Sequence, residues 1–276
     1  MATIAEHTEE LGGRPVFWRQ APFPRPGAAP VLYLHGVPTS GEDWLPFLER
    51  TGGLAPDLPG FGASGKRADG DYTMGGYAAF VDELLAHVGV DRVRLVVHDW
   101  GAAGLLWAAT RPERVERLVI VNAVPLLPGY RWHLIARLWR RRGVGELLMG
   151  ATSRFGLRQL SRAANAAPGP LPDAFVDRVL AQLDHGTQRA ILRLYRTSPE
   201  ERLAEAGAAL ADLRCPTLVC WGDRDPYIPP RFADAYAAAL GGEAEVLHLP
   251  DAGHWPWLDR PDLVERVARF LDETAG

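Results

Sequence analysis

Short runs rich in β-branched residues, each followed by a turn and then a helical pattern, constrain this chain more than any other feature. They are Val31–Leu34, Val93–Val97, Leu118–Val121, Thr217–Cys220 and Glu245–Leu249. A strand that alternates apolar and polar residues keeps one face wet, whereas a strand apolar at every position has both faces covered. Strands of the second kind alternating with helices predict an α/β fold, a mostly parallel sheet with helices on both sides. Gly13-Arg-Pro-Val-Phe-Trp-Arg19 adds a predicted edge strand, and Gly53–Ala55 a further short one before Asp57. Helices are expected over Gly76–Val88, Ala102–Thr110, Phe232–Leu240 and Asp262–Thr274, the last two from apolar residues at three- and four-residue steps.

Between residues 125 and 212 the alternation stops. The stretch is helical in pattern, broken at Gly143–Gly145 and by Ala166-Ala-Pro-Gly-Pro-Leu-Pro172. It predicts a helical insertion between two strands of one sheet, which divides the chain into a core (1–124 and 213–276) and an inserted part (125–212). From Arg131 to Arg162 this insertion carries eight arginines and a single acid, Glu146. That charge reads either as a solvated helix face or as a basic patch for anionic substrates or partners.

Composition narrows the function. A chain of 276 residues with 47% hydrophobic and 23% charged residues is an ordinary globular protein, large enough for a sizeable core. A formal charge of −4 argues against nucleic acid as the main partner. The longest apolar run, Leu118–Gly129, holds two prolines and is too short to span a bilayer, and residues 1–13 are polar and acidic without a signal core. The expectation is a cytoplasmic protein acting on a small molecule, with no nucleic-acid or membrane partner. Cys215 and Cys220 lie an odd number of residues apart around an apolar strand, so they should face opposite sides of it and not form a disulfide. They also lack metal-ligand spacing.

Four turns after strands concentrate the chemistry. In Val96-Val-His-Asp99-Trp100-Gly-Ala102 an apolar strand runs into a sharp turn with an acid at its apex, then a helix: a nucleophile elbow with aspartate where serine is usual. The plainer role for Asp99 is a helix cap. His35-Gly-Val37-Pro-Thr-Ser40 follows another strand, where Gly36 permits close backbone approach and the Val37 N–H can face the same anion as the Trp100 N–H. His35 itself reads as a structural, hydrogen-bonded residue. Trp221-Gly-Asp223-Arg-Asp225-Pro226 and Asp251-Ala-Gly-His254-Trp-Pro256 place a carboxylate and an imidazole at the same sheet edge. A histidine held by a carboxylate can take a proton from water near neutral pH.

The order nucleophile, acid, histidine, together with Asp57-Leu-Pro-Gly-Phe-Gly-Ala-Ser-Gly65, resembles the α/β-hydrolase fold family, in its aspartate-nucleophile branch of epoxide hydrolases and haloalkane dehalogenases. The resemblance spans nearly the whole chain and is loosest in the insertion, which corresponds to the family's cap. It implies an eight-strand-type sheet, no cofactor and no metal. It implies Asp99 as nucleophile, Asp225 rather than Asp223 as the acid partner of His254, and a structural Asp57. A carboxylate is ionised at neutral pH and can attack saturated carbon without a base, giving an alkyl ester that His254-activated water then cleaves.

The resemblance leaves the leaving group open. Epoxide opening takes a proton from cap tyrosines in this family, and Tyr130 and Tyr195 are the tyrosines of the insertion, Tyr195 in Leu-Tyr-Arg resembling the family's position. Halide release takes N–H donors. Trp100 is one candidate and Trp132 or Trp139 another, but Val37 stands where many dehalogenases carry asparagine. Pro38-Thr-Ser40 and Val97 lean towards dehalogenases. The expectation is an epoxide hydrolase with substrate between cap and sheet beside Trp100, Trp132 and Tyr195. A haloalkane dehalogenase is the alternative, and a small-molecule sensor on the same fold the reading from another class.

Overall fold

A computed structural model describes residues 3–22, 28–162, 164–166 and 171–273. It contains one eight-stranded sheet: β1 (Ala5–Leu11), β2 (Arg14–Ala21), β3 (Val31–Leu34), β4 (Gly53–Pro56), β5 (Val93–Asp99), β6 (Val115–Ala123), β7 (Thr217–Gly222) and β8 (Ala244–Leu249). The spatial order is β1-β2-β4-β3-β5-β6-β7-β8. β1 and β2 run antiparallel at one edge, and β4 through β8 are parallel.

The central strands are apolar on both faces for the reason expected. Along β5, Leu95 and Val97 join one hydrophobic core and Val96 the other; along β6, Leu118 and Ile120 divide from Val119 and Val121 in the same way. Helices Met74–His87, Ala103–Ala109 and Arg231–Ala239 cover the first face through Phe80, Leu84, Trp107 and Tyr236. Helices Leu45–Thr51 and Asp262–Asp272 cover the second through Phe47, Leu48, Val267 and Phe270. Cys220 packs into the second core and Cys215 against the first, both as free thiols. Burial pushes the Cys215 thiol up to about 11 and that of Cys220 to about 12, so neither is a nucleophile near neutrality.

Two features depart from expectation. The strand around residue 16 is not the edge: β1 lies outside it, paired along its whole length. β1 exposes almost every side chain and buries only Leu11, so no hydrophobic period marks it, and its charged residues suit an edge. The helix Leu45–Thr51 was not expected either; it enters through a 3₁₀ turn, Gly41–Trp44, capped by the Ser40 hydroxyl.

Among the described residues, six α-helices stand between β6 and β7: Leu134–Trp139, Val144–Gly150, Arg154–Ser161, Asp173–Gln182, His185–Thr197 and Glu200–Ala206. Of the expected break at 166–172, residues 167–170 lie outside the described residues. Among the described residues no helix is long and apolar enough to cross a membrane.

Candidate active site

The sheet order reverses between β3 and β5, with β4 on one side and β6 on the other, and the crevice past the carboxyl ends of such strands is where open α/β sheets hold ligands. Asp99 ends β5 there with φ 49° and ψ −118°, a conformation that non-glycine residues adopt only under strain. The chain on either side accommodates it through two glycines. A Cβ on Gly101 would lie 2.2 Å from the Leu34 carbonyl oxygen, and one on Gly36 would lie 2.3 Å from the Asp99 Cβ. Gly36 therefore admits the nucleophile candidate itself to the β3 turn. Gly36→Ala is expected to displace the loop that carries the Val37 N–H, lowering kcat by about 10²-fold or more and stability by about 1–3 kcal/mol. Steady-state kinetics and thermal melting would check both, and an unchanged kcat would count against that N–H.

The Val37 N–H donates to Asp99 Oδ1 at 2.7 Å, and the Trp100 N–H also faces the carboxylate. The other oxygen, Oδ2, lies 3.7 Å from His254 Nε2, close enough for charge attraction but beyond a hydrogen bond. Burial raises the Asp99 pKa, while the His254 charge and the two N–H donors pull it back.

His254 follows β8 and donates from Nδ1 to Asp225 Oδ2 at 2.7 Å. Asp225 follows β7 and is buried yet well supplied with donors. Its Oδ1 accepts from the Tyr227 and Ile228 N–H groups at 2.7 and 3.1 Å, and its Oδ2 also accepts from the Asn122 amide at 2.7 Å. Burial alone would lower the His254 pKa. The charge and bond of Asp225, and then the charge of Asp99, outweigh it, so the ring sits above its ordinary value.

Several residues have the structural places expected for them. His35 donates from Nδ1 to the Gly36 carbonyl and accepts at Nε2 from the Leu58 N–H. Burial brings its pKa down to about 4, so it remains a neutral strut. Asp57 binds Arg19 and the N–H groups of Gly41 and Ala63. Asp223 pairs with His248 and makes no bond to His254.

A cavity of about 120 Å³ has Asp99, Val37 and His254 in its wall, together with Tyr130, Trp132 and Tyr195 from the inserted segment. Trp100 is not part of that wall, contrary to expectation. Its ring is fully buried, stacked on Trp132 with centroids 5.3 Å apart and met edge-on by Tyr195 at 5.0 Å. The two inserted rings close over it, and its indole N–H faces the Tyr195 hydroxyl. The Trp132 indole N–H is committed to the Ser198 carbonyl at 3.0 Å. Among the described residues the Tyr130 hydroxyl is buried without a hydrogen-bond partner, and burial raises the pKa of both Tyr130 and Tyr195, Tyr195 well above its ordinary value. Both phenols thus keep their protons at neutral pH. Among the described residues, no group of three or more His, Cys, Asp and Glu side chains could hold a metal ion.

The motifs missed three members of this site. Asn122 is a polar residue at the carboxyl end of an apolar run, a visible signal; at φ 37° it clamps both Asp225 and the Gly222 backbone. Tyr227 places its ring edge-on to His254, 5.0 Å away. His133 lines the cavity, brought down to about 4 by burial and hence neutral. Nothing in the sequence near Tyr227 or His133 singles them out.

The model of the alpha/beta hydrolase family matches residues 31–267. The chain belongs to the α/β-hydrolase family. As an α/β hydrolase it is 31% identical to a cis-3-alkyl-4-alkyloxetan-2-one decarboxylase of Xanthomonas campestris, over 88% of each chain. It is also 31% identical to a haloalkane dehalogenase of Mesorhizobium japonicum, over 88% of this chain and 84% of that one. Among solved structures, the haloalkane dehalogenase DbeA of Bradyrhizobium elkani superposes with a TM-score of 0.82 at 26% identity, covering 98% of both chains. The epoxide hydrolase CorEH superposes equally well, 0.82, at 22% identity over 97% of this chain and 98% of that one; this likeness concerns the fold.

Proposed function

We propose that this α/β hydrolase opens epoxides to diols through an ester on Asp99. The observation that carries the reading is the company Asp99 keeps in the cavity wall: two protonated phenols, Tyr130 and Tyr195, while the Trp100 and Trp132 indole N–H groups are sealed or committed elsewhere. An alkoxide leaving group needs a proton, and buried phenols supply one; a halide needs only N–H donors.

In this scheme Oδ2 of Asp99 attacks an epoxide carbon, the carbon–oxygen bond breaks, and the oxygen takes the proton of Tyr195. Oδ1 remains on the Val37 and Trp100 N–H groups as the ester carbonyl oxygen. Ester formation removes the Asp99 charge, one of the charges that hold the His254 pKa up, so the ring is more readily in the neutral form that can take a proton from water. Hydroxide adds to the Asp99 carbonyl carbon, the oxyanion develops on Oδ1 in the same N–H pair, and collapse breaks the bond from that carbon to Oδ2. The departing alkoxide takes the proton held by His254, and the new carboxylic acid returns a proton to the Tyr195 phenolate, releasing the diol.

Tyr195→Phe is expected to slow epoxide opening by about 10²-fold or more and to spare any halide displacement. Stopped-flow turnover of a styrene-oxide-type substrate beside a bromoalkane measures both, and an unchanged epoxide rate would remove Tyr195 from the reaction. A second reading, haloalkane dehalogenase, is supported by relatives so named at 29–31% identity and by the Trp100 indole N–H, which faces Tyr195 and could reach a halide if Tyr195 moved aside.

A further inference from the structure

Among the described residues, every exposed large hydrophobic side chain falls in one stretch of the insertion: Leu134, Val144, Leu147, Leu148 and Phe155. Leu147 and Phe155 are each 73% exposed, and Leu134 is 63% exposed. They belong to three consecutive helices, Leu134–Trp139, Val144–Gly150 and Arg154–Ser161, the first two packed on each other. Isolated exposed apolar residues are ordinary, but five on three helices consecutive in the chain, with none elsewhere among the described residues, mark a contact surface.

The charge around them selects the partner. Arg131, Arg137, Arg141 and Arg142 are exposed and make no ion pair among the described residues, whereas Arg140, Arg154, Arg158 and Arg196 are matched by Glu200, Asp173, Asp177 and Glu146. Arg137, Arg140, Arg141 and Arg196 together line an open recess of about 450 Å³. A second copy of the chain would bring four unpaired arginines against four more. An anionic bilayer surface instead offers phosphates to the guanidinium groups and acyl chains to the leucines and phenylalanine.

We propose that this face docks the protein on a membrane surface carrying anionic phospholipid, with headgroup phosphates in the arginine recess. The expectation of no membrane partner rested on the lack of an apolar run long enough to span a bilayer, which does not bear on docking at its surface. The inner faces of the same three helices line the catalytic cavity through Ile135, Trp139, Met149 and Leu157, so docking would set the cavity against the lipid from which an apolar substrate partitions. This inference does not depend on which electrophile Asp99 attacks.

Co-sedimentation of the full chain with vesicles tests it, comparing phosphatidylcholine alone with phosphatidylcholine containing phosphatidylglycerol. Binding is expected to the mixed vesicles only and to weaken as salt is raised. It should fall at least about 25-fold in Arg137→Glu/Arg141→Glu and on the order of a hundredfold in Leu147→Ser/Phe155→Ser. Neither pair lines the catalytic cavity, so turnover of a water-soluble substrate should persist and report an intact fold. Absence of binding to the mixed vesicles, equal binding to both lipids, or competition by inorganic phosphate with no gain from the bilayer would each overturn the proposal. Concentration-dependent dimerisation abolished by Leu147→Ser/Phe155→Ser would overturn it in favour of a second copy.

Discussion

Replacing Asp99 with alanine should lower turnover by on the order of 10⁴-fold or more while leaving the fold intact, because no other carboxylate can attack from that turn. His254 and the two N–H donors would remain, but with nothing to form the ester they have no intermediate to act on. The fold should tolerate the change. Burial raises the Asp99 pKa above its unfolded value, so ionising this group costs stability. That cost is absent below the unfolded pKa, grows as pH rises through the window up to the folded one, and is complete above it. Removing the carboxyl removes the cost, so the melting temperature at neutral pH should be unchanged or higher. Retained activity in Asp99→Ala would refute the covalent route.

The second large effect is a block after the first step. In His254→Phe the carboxylate still attacks but water is no longer deprotonated, so the ester should accumulate while steady-state turnover falls by about 10³-fold or more. Intact mass after exposure to epoxides and bromoalkanes reads the chemistry directly. A gain of a whole epoxide mapped to Asp99 establishes ring opening; a gain of an alkyl group without its halogen establishes dehalogenation. No adduct from any substrate would leave ligand binding without turnover as the better reading. The pH dependence has a matching sign. His254 must be neutral to act, and Asp225 is the largest influence raising its pKa. Asp225→Asn should therefore move the acidic limb of ester hydrolysis to lower pH while slowing the step, measured in single turnovers.

Much of this site was legible beforehand because each of its turns follows a recognisable parallel strand, β3, β5 and β7 almost wholly buried and β8 mixed. Val37, Asp99, Asp225 and His254 all stand at or past the carboxyl end of a parallel strand, and parallel strands bring those ends to one edge. Asn122 was readable in principle for the same reason. β1 was not, because a charged edge strand has no hydrophobic period and exists by pairing with β2. The part played by Trp100 was legible only by half. Its backbone N–H faces Asp99 as the elbow requires, but whether its indole reaches substrate depended on Trp132 and Tyr195, which arrive from far along the chain.

By itself, then, the sequence determined the α/β class and the residues of the sheet edge, since period, turn chemistry and strand polarity are local properties that survive in any parallel arrangement. Only the tertiary structure decided which tyrosines and indoles share a cavity with Asp99, which donors are spent on backbone carbonyls, and which arginines are left without a partner. Those depend on how six inserted helices pack, and helix packing is set by contacts between residues distant in the chain, which no local pattern encodes.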